Sequence, residues 1–235
     1  MRVVFVHGAL SRDGAWWWAP VAALLEPSGI QSTAVGLPSC GETGGAPTGA
    51  GPGLHDDAAA TTAVLDEGGP AILVGHSYGG MVVSQAGHHP AVRALVYVSS
   101  FMPEAGEDLA SLSQGPNPVP VIVHEDGSVS LDDGDPAATD ARFFNDVTDP
   151  ALLQGAHERL CPQASVVFGT PTTVAAWQHV PSTYLVCADE RSTDPDVQRA
   201  QAARATTVHE LAAGHFPFLS RPELVAERIE EIARA

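Results

Sequence analysis

The chain has 235 residues, 44% of them hydrophobic, which is enough for one sizeable core and argues against disorder. Its formal net charge is −17: 28 acidic residues face 11 basic ones, all arginine, and there is no lysine. That balance argues against nucleic acid or an anionic membrane as a partner, and it favours solubility.

In chain order, Val3 to Val6 reads as a buried strand and runs into His7-Gly8-Ala9. This apolar run is too short for a signal-peptide core, and no run approaches transmembrane length. Ala15 to Leu25 carries apolar residues at helical spacing and includes Trp16, Trp17 and Trp18, at least one of which must pack into the core. Gln31 to Val35 is a weaker strand, and 36–53 is a Gly- and Pro-rich loop. His55 to Leu65 is helical, with Asp56 and Asp57 in the first turn, where they suit the helix dipole.

Ala71-Ile72-Leu73-Val74 reads as a buried strand, Gly75-His76-Ser77-Tyr78-Gly79 follows it, and a helix follows that, stopping near Pro90. A serine on a sharp strand-to-helix turn is a nucleophile elbow. The turn strains the backbone at the serine, and only residues without bulk fit beside it. The hydroxyl is lifted clear of the sheet, and the helix N-terminus favours negative charge developing there. Ala94 to Val98 is a further strand.

From about Pro103 to Pro171 the strand–helix alternation is lost, as expected of an insertion rather than a second independent domain. Alternation resumes with a strand over Tyr184–Ala188, a helix from about Asp196 to Arg204, a last strand over Thr206–Leu211 and a final helix. That helix carries a capping-box pattern, Ser220 at the cap and Glu223 three residues later. Alternating strands and helices predict a parallel sheet covered on both faces, with its ligand at the carboxyl ends of the strands. His7-Gly8-Ala9, Ser77, Asp189-Glu190 and His215 all fall just after predicted strands, which converges them on a single site.

These residues resemble the α/β-hydrolase superfamily, and more narrowly the small cap-bearing esterases related to plant methylesterases and hydroxynitrile lyases, with their bacterial relatives. The resemblance rests on His7-Gly8-Ala9 with Gly14-Ala15-Trp16, on Gly75 to Met81, on Phe101-Met102-Pro103 and on Ala175-Ala176-Trp177. It continues through Pro181 to Tyr184, Pro195 with Gln198, and Gly214-His215. It spans nearly the whole chain and is weakest in the Gly-rich loop and between Leu112 and Ala141. It implies an α/β-hydrolase fold with a mainly parallel sheet of about six strands flanked by helices, the first two strands of the full eight-stranded form being absent. The core would be 1–102 and 172–235, with an inserted cap over 103–171.

In this reading Ser77 is the nucleophile and His215 the base that takes its proton, since a serine hydroxyl is a poor nucleophile unaided. The order Ser, acid, His is that of the family. The acid orients the imidazole and stabilises its protonated form. Asp189 and Glu190 both stand just after the preceding strand. The resemblance puts the acid eight residues before Gln198, at Glu190, where relatives carry aspartate; Asp189 stays the alternative and Asp194 a remote third. An oxyanion hole needs two aimed donors. The elbow supplies the Tyr78 N–H, and the resemblance points to the Ala9 N–H, with Gly8 allowing close approach. His7 and His76 are expected to support the backbone of the site.

The expected reaction is hydrolysis of a small, mostly neutral carboxylic ester through an acyl-enzyme on Ser77, with lactones and thioesters left open. The first alternative is hydroxynitrile-lyase-like cleavage. Those relatives add a lysine after the histidine and a threonine in the first-strand loop, where this chain has Phe216 and Gly8. The second alternative is a ligand-binding, receptor-like protein that retains the triad. The partner is a small-molecule ester, nothing demands a metal or organic cofactor, and oligomeric state is not legible. His209-Glu210 with His215 misses the zinc spacing, and Asp132-Asp133-Gly134-Asp135 lacks a calcium-loop pattern and reads as an exposed cap loop. Cys40, Cys161 and Cys187 form no metal spacing, which suits a reducing compartment and a cytoplasmic location; Cys187, inside an apolar strand, is expected to be inert.

Overall fold

The computed structural model describes residues 1–43, 45–114, 118–131 and 134–235. Nine strands occur among them: β1 (Arg2–Val6), β2 (Gln31–Ala34), β3 (Ala71–His76), β4 (Val92–Val98), β5 (Val121–Val123), β6 (Ser128–Leu131), β7 (Gln163–Ala164), β8 (Ser182–Cys187) and β9 (Thr207–Leu211). Six form one sheet in the order β2-β1-β3-β4-β8-β9, with every neighbouring pair parallel. β3 and β8 are buried along their whole length, as central strands covered on both faces must be. The edge strands β2 and β9 are largely exposed, which accounts for the weaker apolar signal over 31–35.

Two hydrophobic clusters cover the sheet. Helices Leu54–Asp66, Gly79–Ala86 and Pro195–Ala202 pack on one face, and helices Gly14–Leu25 and Pro222–Arg234 on the other. Trp17 and Trp18 are each 1% exposed, and Trp18 stacks on Phe5 with ring centroids 4.4 Å apart. Burying an indole removes roughly 150–250 Å² from water, about 4–6 kcal/mol of hydrophobic free energy. Trp16 stays half-exposed, with the Arg159 guanidinium 4.3 Å above its ring. Three consecutive helical positions cannot share one face, so two face the core and the third packs under an arginine.

The chain leaves β1 to pair β2 on one side and returns to pair β3 on the other. The strand order reverses there, which opens a crevice outside the carboxyl ends of β1 and β3. Among the described residues between 103 and 171 the chain forms four short helices (Leu109–Leu112, Pro136–Phe143, Pro150–His157 and Val166–Gly169) and an antiparallel three-stranded sheet, β5-β6-β7. That small sheet was not anticipated: β5 and β7 have only three and two residues, too few to show alternation. Asp132 and Asp133 of the acidic run lie outside the described residues.

One predicted cap is wrong. The final helix starts at Pro222 with Arg221 at its cap position and no side-chain cap bond, and Ser220 closes a separate turn, Pro217–Ser220. The Ser220 hydroxyl donates instead to Asp146 Oδ2 at 2.7 Å. Pro222 disfavours the helical conformation at the residue before it, and Arg221, at φ −142° and ψ 53°, stays outside that region, so the helix begins one residue too late for Ser220 to cap it.

Candidate active site

Ser77 stands directly after β3 with φ at 50°, a left-handed conformation that is costly for a residue with a Cβ. Hydrogen bonds on both sides hold it there. Its N–H donates to the Val98 carbonyl at 3.3 Å, and its own carbonyl accepts the Ser100 hydroxyl at 2.7 Å. Close packing explains the flanking glycines. A Cβ at Gly75 would lie 2.6 Å from the Gly79 carbonyl oxygen, and one at Gly79 would lie 2.7 Å from the Val6 carbonyl oxygen.

His215 lies on the loop after β9, and its Nδ1 is 2.6 Å from Glu190 Oε1, with both side chains buried. Glu190 Oε1 also accepts the Thr193 N–H, and Oε2 accepts Gln198 Nε2 at 2.6 Å and the Ser99 hydroxyl. Four donors surround an acceptor-only group, so a carboxylate fits this position. With Nδ1 committed to Glu190, Nε2 is the imidazole nitrogen left for a reacting proton. Asp189 is exposed, and Asp194 caps the helix that starts at Pro195.

The flanking histidines are held in opposite charge states. His76 Nε2 donates to the His215 carbonyl at 2.9 Å, and the two rings lie 4.6 Å apart. Burial, and then the neighbouring His215, hold His76 well below the ordinary imidazole range, so it is neutral. His7 places one ring nitrogen 2.6 Å from Glu42 Oε2 and the other 2.9 Å from the Gly8 carbonyl. Both partners are acceptors, so both nitrogens carry protons. Burial works against that charge, but the hydrogen bond and charge of Glu42 outweigh it and raise the pKa.

Ser77, His215 and Glu190 line one cavity of about 510 Å³, together with Gly8, Ala9 and Tyr78. Its remaining wall is mostly apolar, including Leu10 and Phe101 from the core and Val129, Leu131, Phe143 and Phe168 from the 103–171 segment. Cys187 lies in β8, and burial pushes its thiol well above the ordinary range, which leaves it inert.

Three residues that touch this arrangement were missed in the sequence. Ser99, with φ at 44°, donates to Glu190 and lies 3.2 Å from His215 Nδ1. Its place just beyond β4 was the available signal, since the other site residues also follow strands. Asp146 accepts the Gly214 N–H at 2.6 Å, one residue before His215, and Asn145 donates to the Asp189 carbonyl at 3.0 Å. Nothing local marks that pair.

Comparison with known proteins places this geometry in context. Residues 3–228 match the model of a family described as "Alpha/beta hydrolase family". A pyrethroid hydrolase of Sphingobium wenxiniae is 29% identical over 99% of this chain and 88% of its own length. A carbendazim hydrolyzing esterase of a Nocardioides species is 31% identical over 73% of each chain. Among solved structures, a pyrethroid hydrolase from Sphingobium faniae superimposes with a TM-score of 0.84 at 25% identity, over 100% of this chain and 98% of the other. No helix among the described residues is long and apolar enough to cross a membrane.

Proposed function

The chain belongs to the alpha/beta hydrolase family, and from that premise we propose that it is a serine carboxylesterase working through an acyl-enzyme on Ser77. The observation that carries this reading is the His215–Glu190 contact on the wall of the same cavity that Ser77 lines.

His215 Nε2 takes the Ser77 proton as Oγ attacks the ester carbonyl. The carbonyl oxygen becomes an oxyanion that the Ala9 and Tyr78 N–H groups stabilise. The imidazolium, held against Glu190, gives its proton to the departing alkoxide, and an alcohol leaves. Water then repeats the sequence on the acyl-enzyme and releases the acid. The 103–171 segment acts as the cap: it supplies much of the apolar wall and shields the reaction from water. That wall suits a neutral, apolar ester, in keeping with a relative named as a carbendazim hydrolyzing esterase and another named as a pyrethroid hydrolase. The net charge of −17 argues against nucleic acid as a partner.

The test is Ser77→Ala assayed on p-nitrophenyl butyrate, with a panel of methyl, aryl and long-chain esters on the native protein. Turnover is expected to vanish while the circular dichroism spectrum and melting temperature are kept. Retained turnover in a folded variant would refute the assignment.

A further inference from the structure

The reaction just described leaves one buried carboxylate unused. Asp57, in the first turn of the helix over 54–66, is fully buried. It accepts the Ser39 N–H at 2.9 Å, the Ser39 hydroxyl at 2.6 Å and the Tyr78 hydroxyl at 2.6 Å. The Ser39 hydroxyl in turn accepts Gln163 Nε2 at 2.9 Å, and Gln163 Oε1 accepts the Leu10 N–H at 3.0 Å. One unbroken hydrogen-bonded line therefore runs from the Leu10 N–H through Gln163, Ser39 and Asp57 to the Tyr78 hydroxyl. All four of its side chains are fully buried.

Both ends of this line matter for the proposed chemistry. Tyr78 is one oxyanion donor, and Leu10 follows Ala9, the other. Leu10 has φ at 58°, which leucine rarely adopts unaided, so something must hold the loop. Residues 159–163 do so. Besides Gln163, the Cys161 N–H donates to the Leu10 carbonyl at 3.0 Å, Ser11 bridges Leu160, and the Arg12 N–H donates to the Arg159 carbonyl at 3.0 Å. Glutamine suits position 163 because one side chain supplies an acceptor for the loop and a donor for Ser39.

We propose that Gln163 is a positioning residue that sets the spacing of the two oxyanion donors, through Leu10 on one side and through Ser39, Asp57 and Tyr78 on the other. It brings the 103–171 segment into acyl transfer without touching substrate. This rests on the reading of Ser77 and the oxyanion hole given above. Displacing a donor by about 1 Å costs on the order of 10²-fold, and removing one costs about 10²–10³-fold.

The experiment measures burst-phase acylation by p-nitrophenyl butyrate, KM, and inhibition by an aryl trifluoromethyl ketone, whose adduct on serine is an oxyanion. Gln163→Leu is expected to slow acylation by roughly 30–100-fold and to weaken the ketone by a similar factor, with KM within about twofold. Tyr78→Phe removes one hydroxyl, leaves the N–H in place and serves if Gln163→Leu fails to fold; it should slow acylation about 5–10-fold. Normal acylation in Gln163→Leu, or in Tyr78→Phe where the former does not fold, would overturn the positioning role, as would a loss confined to melting temperature or KM. Ser77→Ala, run alongside, separates the two readings: if it still turns over ester, the esterase reading itself has failed.

Discussion

Replacing Glu190 by glutamine should stop acylation by disarming His215. Glu190 Oε1 receives His215 Nδ1–H and the Thr193 N–H; Oε2 receives the Ser99 hydroxyl and Gln198 Nε2. A glutamine must turn its NH₂ toward one of these donor pairs. Facing His215, the NH₂ forces Nδ1 to accept, so the proton moves to Nε2 and no lone pair remains for the Ser77 proton. Facing Gln198, it meets another NH₂ in a fully buried site, where an unsatisfied donor costs about 1–3 kcal/mol. The analogous change in a serine protease triad lowers kcat about 10⁴-fold. For Glu190→Gln the expected loss is about 10³–10⁴-fold, roughly 4–5.5 kcal/mol of barrier. Stopped-flow bursts with p-nitrophenyl butyrate report it directly. Asp189→Asn, at an exposed side chain, should stay within about twofold. Ser99→Ala leaves the His215–Glu190 bond in place and should cost about 5–10-fold. A larger loss in Asp189→Asn than in Glu190→Gln, or a Glu190→Gln enzyme within tenfold of native, would refute the reasoning.

Two other perturbations test the frame around the site. His7 has its pKa raised above 6.5 and Glu42 its pKa lowered below 4.5, so each partner agrees on the sign of their interaction. The His7 contribution is complete below pH 6.5 and is lost as pH rises through the folded-state value, while that of Glu42 is complete above pH 4.5 and is lost as pH falls through its own. Urea midpoints measured against pH should therefore show a Glu42-dependent plateau between those limits, which Glu42→Gln flattens; a parallel curve for the variant would contradict the pairing. Gly79→Ala puts a methyl 2.7 Å from the Val6 carbonyl and 2.8 Å from that of His7, both main-chain atoms of the crevice rim. It should lower the free energy of unfolding by about 1–3 kcal/mol and reduce turnover further by moving Ser77; an unchanged urea midpoint would show that the rim yields freely.

Much of the architecture was legible because parallel strands buried on both faces need short, unbroken apolar runs. Val3–Val6, Ala71–Val74 and Tyr184–Cys187 are such runs, and each lies in the sheet. The tight turn after β3 was legible too, because the glycines at 75 and 79 are there to relieve backbone crowding that a Cβ would make intolerable. The weaker predictions lay where local signals compete. Ser220 has the sequence signature of a helix cap, yet Pro222 keeps Arg221 out of the helical region and the helix starts one residue beyond its reach.

Sequence by itself thus determined the layered sheet, and it placed Ser77, His215 and a short list of carboxylates just beyond its strands, while the strand order that opens the crevice beside β1 and β3 came from the structure. Only the tertiary structure decided which carboxylate reaches His215. Asp189 and Glu190 are neighbours of like chemistry, but one is exposed and the other is buried against His215 Nδ1. It also brought in Ser99, Asp146 and Gln163, whose partners stand 91, 68 and 153 residues away. A backbone pattern is written in neighbouring residues, whereas a hydrogen bond between distant ones exists only once the sheet has brought them together.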